Sequence, residues 1–194
     1  MKKKIIIVGA GGHSVSSLEI IKQNKEFNII GIVGTKSEIG KSIGNFKVKY
    51  CDNDLTRLRK KCRFAIITVG QIKDYKPRKQ LYEKLEKLDF KIPKIFSKYS
   101  IISDNSKIGD GTMVFNHVVI NSNSIIGNNC IINTKALVEH DVKIGNNCHI
   151  STGALVNGNV VIEDNCFVGS GCIIKQGIRI KKNSVIPMGK TIFK

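Results

Sequence analysis

The feature that most constrains this chain is a six-residue repeat that runs unbroken through its second half. Counted from Ile102 in steps of six, all fifteen positions up to Ile186 are Ile or Val, although these two residues fill only 47 of the 194 positions. Four residues after each of these anchors the side chain is usually small, as at Ser124 and Ala154. Branched and small residues therefore alternate at spacing two, which is the period of a strand with one face turned inward.

The residues between the anchors are typical of corners. Pairs such as Asp110-Gly111 and Asn146-Asn147 tolerate turn and left-handed backbone conformations. Each hexapeptide is thus predicted to form a short strand plus a corner, and three of them close a triangular coil. The stacked coils are predicted to form a solenoid with a core of Ile and Val. The pattern resembles the hexapeptide repeat of left-handed parallel β-helix proteins, and this resemblance implies that fold.

Three cysteines fall in the same register of the repeat. Cys130, Cys148 and Cys166 are spaced eighteen residues apart, so they are predicted to stack in one inward column. One interpretation is a column of metal ions bound by these thiols. The favoured interpretation is that the three side chains are small apolar packing groups of the core, because a buried free cysteine behaves as a small hydrophobe. The chain shows no export signal, so we expect a cytoplasmic protein with reduced thiols.

The first half has the pattern of a small α/β domain. Strands are predicted over residues 4–8, 27–33 and 64–69, with helices between and after them, and Ser14 is a candidate cap for the first helix. Alternating strands and helices predict a small Rossmann-like parallel sheet. We therefore expect two domains: a sugar-binding or nucleotide-sugar-binding domain over residues 1–96 and a β-helix over residues 97–194.

A glycine turn follows the first strand and is a candidate phosphate cradle, because a helix N-terminus offers unpaired amides and a positive dipole end. The dinucleotide fingerprint is incomplete here. Ser14 stands where the third glycine belongs, and Gly34-Thr35 at the end of the second strand offers no acid for a ribose. An NAD site is therefore not expected. Two interpretations of the glycine turn remain: it binds a phosphate or a sugar, or its glycines serve only to reverse the chain.

The charge distribution bears on the partner. The formal net charge is +17, and residues 1–100 carry 23 Lys or Arg against 9 Asp or Glu. This excess fits either attraction of an anionic partner or a generally lysine-rich composition. Nucleic-acid binding is disfavoured, because the basic residues are dispersed and no aromatic residues are interleaved with them. No apolar run approaches the ~18 residues that membrane insertion needs.

Histidines are the candidate catalytic groups of the repeat. His140 falls at a corner, directly before Asp141, so its imidazole is predicted to point outward beside a carboxylate that holds its tautomer. An exposed histidine without a function is the alternative for any single corner position. His149 precedes an anchor and is predicted to lie on the outer face. A zinc site would need three converging histidines, and the spacing of His117, His140 and His149 does not favour it.

Two motifs occur together in this chain: the turn Gly9-Ala10-Gly11-Gly12-His13 and, in the repeat, the stretch Asn-Thr-Lys-Ala-Leu-Val-Glu-His-Asp over residues 133–141. The combination resembles the bacterial sugar acyltransferases of the sialic-acid O-acetyltransferase type. It is also similar to the related N-acetyltransferases that act on nucleotide-linked 4-amino sugars. The resemblance spans nearly the whole chain.

The resemblance implies a role for each of several residues. His140 corresponds to the catalytic base and Asp141 to the acid that orients it. The family residues that bind acetyl-CoA correspond in this chain to His149, Gly158 and Ser170. The family residues that bind the acceptor sugar or its phosphates correspond to Gly11, Gly12, His13 and Asn133. The family further implies a homotrimer with acetyl-CoA in a groove between subunits, and a reaction that needs no metal.

The expected function is therefore acetyl-CoA-dependent N-acetylation of an amino group on a nucleotide-activated amino sugar, in surface-glycan synthesis. O-acetylation of a sialic-acid-like sugar is the first alternative, because these residues do not separate amine from hydroxyl acceptors. A non-catalytic sugar-binding trimer is the second, and it is favoured by the missing acids after the second strand. A metal-dependent hydratase is the third.

Overall fold

A computed structural model describes residues 2–72 and 74–194 of the chain. The chain divides into two compact units. Unit 1 comprises residues 1–70 and 76–93, and unit 2 comprises residues 71–75 and 94–194. The short segment 71–75 thus belongs to the second unit although it lies within the first half of the sequence. The boundary expected between residues 96 and 97 stays a prediction.

Unit 1 is built on a five-stranded sheet. Its strands are β1 (Lys3–Val8), β2 (Phe27–Gly34), β3 (Ser42–Ile43), β4 (Phe46–Cys51) and β5 (Phe64–Ile67). The order in the sheet is β3-β4-β2-β1-β5, and β1 pairs in parallel with both β2 and β5. The apolar run of β1 is fully buried, as expected for a central parallel strand covered on both faces.

Three helices accompany this sheet: α1 (Gly12–Gln23), α2 (Leu55–Arg59) and α3 (Lys76–Lys87), with short 3-10 turns at Lys36–Glu38 and Asp52–Asp54. The expected cap of α1 was wrong, because Gly11 is the N-cap and makes no side-chain cap bond. Ser14 lies inside the first turn, and its buried hydroxyl donates to the Gly9 carbonyl at 2.9 Å. The serine therefore ties the helix to the glycine turn.

Unit 2 is a triangular prism of two-residue strands. Face 1 consists of Ile101–Ile102, Val119–Ile120, Leu137–Val138, Leu155–Val156, Ile173–Ile174 and Thr191–Ile192. Face 2 consists of Lys107–Ile108, Ile125–Ile126, Lys143–Ile144, Val161–Ile162 and Arg179–Ile180. Face 3 consists of Ile95–Phe96, Met113–Val114, Ile131–Ile132, His149–Ile150, Phe167–Val168 and Val185–Ile186. Each face is a parallel sheet whose neighbouring strands are eighteen residues apart.

The corners use left-handed backbone conformations at regular positions. Residues with positive φ include Asn129, Asn147 and Asn165 at the corner between faces 2 and 3, and Asp141 at the corner between faces 1 and 2. The asparagines also form a ladder: the amide of Asn129 donates to Asn147 at 2.8 Å, and that of Asn147 donates to Asn165 at 3.3 Å. The corner chemistry predicted from the sequence therefore matches the backbone.

The core of unit 2 is the predicted column of anchors. The cysteine column lies inside it, and Cys130, Cys148 and Cys166 are fully buried. Each thiol donates at 3.1 Å to a carbonyl of the next coil, as Cys148 does to Glu163. Hydrogen bonding to the neighbouring thiols, together with burial, raises the pKa of Cys148. Cys148 is therefore a protonated packing group of the core.

Two adjacent residues test the register of the coil. Ile126 is 2% exposed in the core, whereas Ile125 is 44% exposed on the outside of face 2. We expect Ile126→Ala to lower the free energy of unfolding by about 2–5 kcal/mol, the usual range for an isoleucine truncated in a core. Ile125→Ala is the matched control and should cost below about 1 kcal/mol. Urea unfolding measures both, and a reversed order would mean that the strand register is shifted by one residue.

The fold class predicted from the sequence is confirmed: an α/β unit with a parallel sheet is joined to a left-handed β-helix of hexapeptide repeats. Within the described residues, no helix has the length and apolar character required to cross a membrane.

Candidate active site

His140 and Asp141 lie at the corner between faces 1 and 2, directly after the face 1 strand Leu137–Val138. The two side chains are about half exposed, and His140 Nδ1 lies 2.8 Å from Asp141 Oδ2. A carboxylate accepts a hydrogen bond only from a protonated nitrogen, so the neutral imidazole carries its proton on Nδ1. The other nitrogen, Nε2, then has a free lone pair directed away from Asp141, as a general base requires.

Asn123 holds Asp141 from the preceding coil. Its amide donates to Asp141 Oδ1 at 3.2 Å, while Oδ2 faces His140. The hydrogen bonds from His140 and Asn123 lower the pKa of Asp141, so this carboxyl stays ionised below the pH at which an ordinary aspartate is protonated. The sequence reasoning missed Asn123, although the signal was available: Asn123 and Asp141 are eighteen residues apart and so occupy adjacent coils.

Gly158 faces His140 from the following coil. A Cβ built on Gly158 would lie 2.8 Å from both Cε1 and Nε2 of the imidazole. The acetyl-CoA contact expected for Gly158 stays a prediction; within the chain, Gly158 lies against the ring of His140. A second carboxylate also lies near the corner, because Glu139 Oε2 accepts from the Asn121 amide at 2.9 Å.

The corner between faces 3 and 1 carries a different network. The backbone N–H of Thr134 donates to Asn133 Oδ1 at 2.9 Å, which leaves the Asn133 amide to donate to His149 Nε2 at 3.3 Å. His149 Nδ1 is hydrogen-bonded to the carbonyl of Gln71. The ring is therefore neutral with its proton on Nδ1, because Nε2 acts as the acceptor. His149 lies on the outer face as predicted, but only 5% of it is exposed.

Ser170 lies at this same corner, one coil beyond Ser151, and the two hydroxyls are 2.9 Å apart. Next to these hydroxyls, no side chain covers the backbone at three stacked glycines. A Cβ on Gly153, Gly171 or Gly189 would meet no atom within 4 Å, and these glycines are stacked eighteen residues apart. This uncovered edge with a hydroxyl pair offers room and hydrogen-bonding groups for an extended chain that contains amides.

The candidate residues of unit 2 are therefore divided between the two edges of face 1. His140, Asp141 and Gly158 lie at one edge, whereas Asn133 and Ser170 lie at the other, with His149 next to it on face 3. The structure does not bring these two groups together within one chain. Between them, the outward side chains of face 1 are apolar in five successive coils: Ile101, Val119, Leu137, Leu155 and Ile173.

Unit 1 carries the remaining candidates at the carboxyl ends of β1 and β5. Gly11 and Gly12 form the start of α1, and a Cβ on either would meet no atom within 4 Å. His13 follows in the first turn of α1, and its Cβ lies 3.4 Å from the Cβ position of Gly70 after β5. The carboxyl ends of the strands beside a helix N-terminus are where open parallel sheets bind ligands.

An acid that the sequence reasoning missed lies close to this turn. The 3-10 turn Lys36–Glu38 brings Glu38 back to the end of β2, where its Oε2 lies 3.0 Å from the Cβ position of Gly34. The Thr35 N–H donates to this carboxylate at 3.0 Å and lowers its pKa. Lys41 lies 3.5 Å from Oε1 and donates to the Ala10 carbonyl at 2.9 Å. A carboxylate therefore does lie near the glycine turn.

Within residues 2–72 and 74–194, no group of three or more His, Cys, Asp and Glu side chains is arranged to hold a metal ion.

Comparison with protein families identifies both halves of the chain. Residues 4–85 match the PglD N-terminal domain. Residues 123–158 match the bacterial transferase hexapeptide of six repeats, and residues 159–194 match the hexapeptide repeat of succinyl-transferase. No curated protein sequence matches the chain.

Several solved structures match this chain over nearly its whole length. The acetyltransferase domain of PglB from Neisseria gonorrhoeae is 26% identical, with a TM-score of 0.90 over 99% of this chain and 92% of that one. The same domain in complex with acetyl coenzyme A gives a TM-score of 0.85 over 98% and 96% of the two chains, at 26% identity. A histidine-to-alanine variant of GDP-perosamine N-acetyltransferase from Caulobacter crescentus, in complex with CoA and GDP-perosamine, is 23% identical, with a TM-score of 0.77 over 91% and 90%.

Proposed function

We propose that this chain, whose residues 4–85 match the PglD N-terminal domain and whose residues 123–194 match hexapeptide-repeat transferases, transfers the acetyl group of acetyl-CoA to the amino group of a nucleotide-activated amino sugar, in surface-glycan synthesis. The observation that carries the proposal is the His140–Asp141 pair, a half-exposed imidazole whose free nitrogen is Nε2. Acetyl-CoA supplies the activated thioester when it is bound. A cytoplasmic location stays a prediction.

His140 acts as the general base in this proposal. Its Nε2 accepts the proton of the acceptor amine as the amine nitrogen forms a bond to the thioester carbonyl carbon. Asp141 stabilises the imidazolium that results, because its lowered pKa keeps it negatively charged. When the carbon–sulfur bond breaks, the imidazolium returns the proton to the departing thiolate. The core cysteines take no part, so transfer is direct, without an acyl-enzyme.

We further propose that the active site is completed by a second copy of the chain in a homotrimer. The two groups of candidate residues lie at opposite edges of face 1, and the outward side chains between them are apolar. Packing of face 1 against a neighbouring copy would remove this surface from water and set His140 of one chain beside the glycine edge of the next. Face 2 is less suited, because Lys107, Lys143 and Arg179 point outward from it.

Glu38 and Lys41 support recognition of a nucleotide by unit 1. A carboxylate accepts the hydroxyls of a ribose, and a lysine beside a glycine turn attracts phosphate. We expect Glu38→Gln to raise the KM of a nucleotide-sugar acceptor about 10-fold, the scale of one hydrogen bond to a charged group, while the KM of acetyl-CoA is unchanged. The lowered pKa of Glu38 means that the effect disappears only when the pH falls below the usual glutamate range.

The matched control for this variant is Glu26→Gln, which removes an exposed carboxylate paired with Lys3 in the same unit. It should leave both KM values unchanged. Equal KM values for wild type and Glu38→Gln would remove Glu38 from the nucleotide site.

The experiment that tests the function is an acceptor panel. The protein is incubated with acetyl-CoA and with nucleotide-linked amino sugars, the corresponding free sugars and a sialic-acid-like sugar, and release of free CoA thiol is followed. Turnover with nucleotide-linked amino sugars is the expected result. Turnover with the hydroxyl acceptor alone would establish O-acetylation, and no turnover with binding of the nucleotide sugars would favour the non-catalytic trimer.

A further inference from the structure

The imidazole of His140 rests against the one residue of its corner column that has no side chain. The residues at this position of successive coils are Asp104, Ser122, His140, Gly158 and Gln176. The Cβ position of Gly158 lies 2.8 Å from Cε1 and Nε2 and 3.4 Å from Cδ2 of the ring. Real Cβ atoms do not approach other heavy atoms so closely, so the ring occupies the volume that any other residue would fill.

The backbone of the two coils is not free to move apart. Asn159 N donates to the His140 carbonyl at 3.1 Å and Glu139 N donates to the Val156 carbonyl at 2.9 Å. On its other side, Gly158 is tied to the following coil, because Gly177 N donates to the Gly158 carbonyl at 3.0 Å. A methyl group at residue 158 would therefore displace the imidazole rather than the main chain. Gly158 also has no positive φ, so its backbone conformation is open to alanine.

We propose that Gly158 is the positioning residue of the catalytic base: its missing side chain sets the orientation in which His140 donates Nδ1–H to Asp141 and keeps Nε2 open to the acceptor. The crowded atoms include Nε2 itself, so a Cβ here both rotates the ring and fills space beside the reacting nitrogen. This role rests on the proposed function of His140, and it differs from the acetyl-CoA contact that the family resemblance implies for Gly158.

The test is Gly158→Ala in the full-length protein. We expect kcat to fall about 10²-fold, the loss that a misplacement of about 1 Å causes, while the KM of acetyl-CoA stays within about twofold. The melting temperature should hardly change, because the only group displaced is the end of a half-exposed side chain. Gly158→Ser, which adds a larger group at the same Cβ, should lose at least as much activity.

A second measurement, NMR of the His140 imidazole, reports the tautomer of the ring directly and needs no substrate. In histidine-labelled protein the 15N shifts of His140 report its tautomer, with the signal assigned by its absence from His140→Ala. The wild-type ring should show the proton on Nδ1, and Gly158→Ala should lose this preference because its bond to Asp141 is broken. The control is Gln176→Ala, an exposed residue one coil farther along the column, which should change neither the kinetics nor the ring signal.

Unchanged kcat in Gly158→Ala, a loss carried only by the KM of acetyl-CoA, or an unchanged ring signal would each overturn the proposal. Its failure is distinguishable from failure of the proposed function. If His140→Ala keeps full turnover, the assignment of the base is wrong, and the tautomer measurement still decides whether Gly158 orients the imidazole.

Discussion

Replacing His140 with alanine lowers kcat by about 10²-fold or more, the usual scale for loss of a general base. The reason is that Nε2 of this ring is the one nitrogen of the His140–Asp141 pair left free to take the proton of the acceptor. The protein should remain folded, because the side chain is half exposed and lies outside the core of unit 2. Steady-state kinetics with acetyl-CoA and the best acceptor of the panel measure the effect.

The matched control is His117→Ala. His117 is also an exposed corner histidine with positive φ, but its sequence neighbours are Asn116 and Val118, so neither neighbour is a carboxylate like Asp141. Its loss should leave kcat unchanged. Full turnover in His140→Ala would remove this residue from the mechanism and leave the exposed-histidine alternative standing.

Mixing two inactive variants restores activity if the site lies between copies. His140→Ala removes the base at one edge of face 1, and His149→Ala disrupts the network next to the other edge. In mixed trimers some interfaces then combine an intact His140 from one chain with an intact His149 from the next. For random mixing of equal amounts, each interface has about one chance in four of being intact, so about a quarter of the wild-type activity should return.

The measurement is turnover after the two variants are unfolded together and refolded, compared with the same treatment of each variant alone. Circular dichroism checks that His149→Ala folds, because this side chain is largely buried. Absence of recovery, with trimers present in sedimentation, would show that each chain carries a complete site. A monomer in sedimentation would contradict the trimer itself.

Much of the fold was predictable because the repeat carries its own geometry. A period of six with branched anchors specifies the strands, the inward face and the corners, and the structure buries these anchors in one core. The same periodicity carries unused information about the site. Asn123 and Gly158 each lie eighteen residues from the residue that they contact, Asp141 and His140 respectively, so stacking alone predicts both neighbours.

In unit 1, the position of one candidate site residue was not predictable from the sequence. The strands β1, β2 and β5 and the glycine turn were predictable from apolar runs and from the glycines that follow them. The position of Glu38, in contrast, depends on a 3-10 turn over Lys36–Glu38 that brings its side chain back to the end of β2. The sequence Gly34-Thr35 therefore suggests that no acid lies at the end of β2, whereas in the folded chain the carboxylate of Glu38 lies there. The burial of His149 on the outer face was likewise not predictable from the repeat, because the carbonyl of Gln71, a residue of unit 2 that is distant in sequence, accepts a hydrogen bond from the ring.

The sequence by itself determined the coil, its core, its corners and the pairing of His140 with Asp141, because all of these depend on short, regular spacings along the chain. Only the tertiary structure decided how the imidazole is oriented, which carboxylate returns to the glycine turn, and that the candidate residues lie at opposite edges of one face. Those features depend on where backbone segments meet in space, and the distance between two segments is not encoded in their residue types.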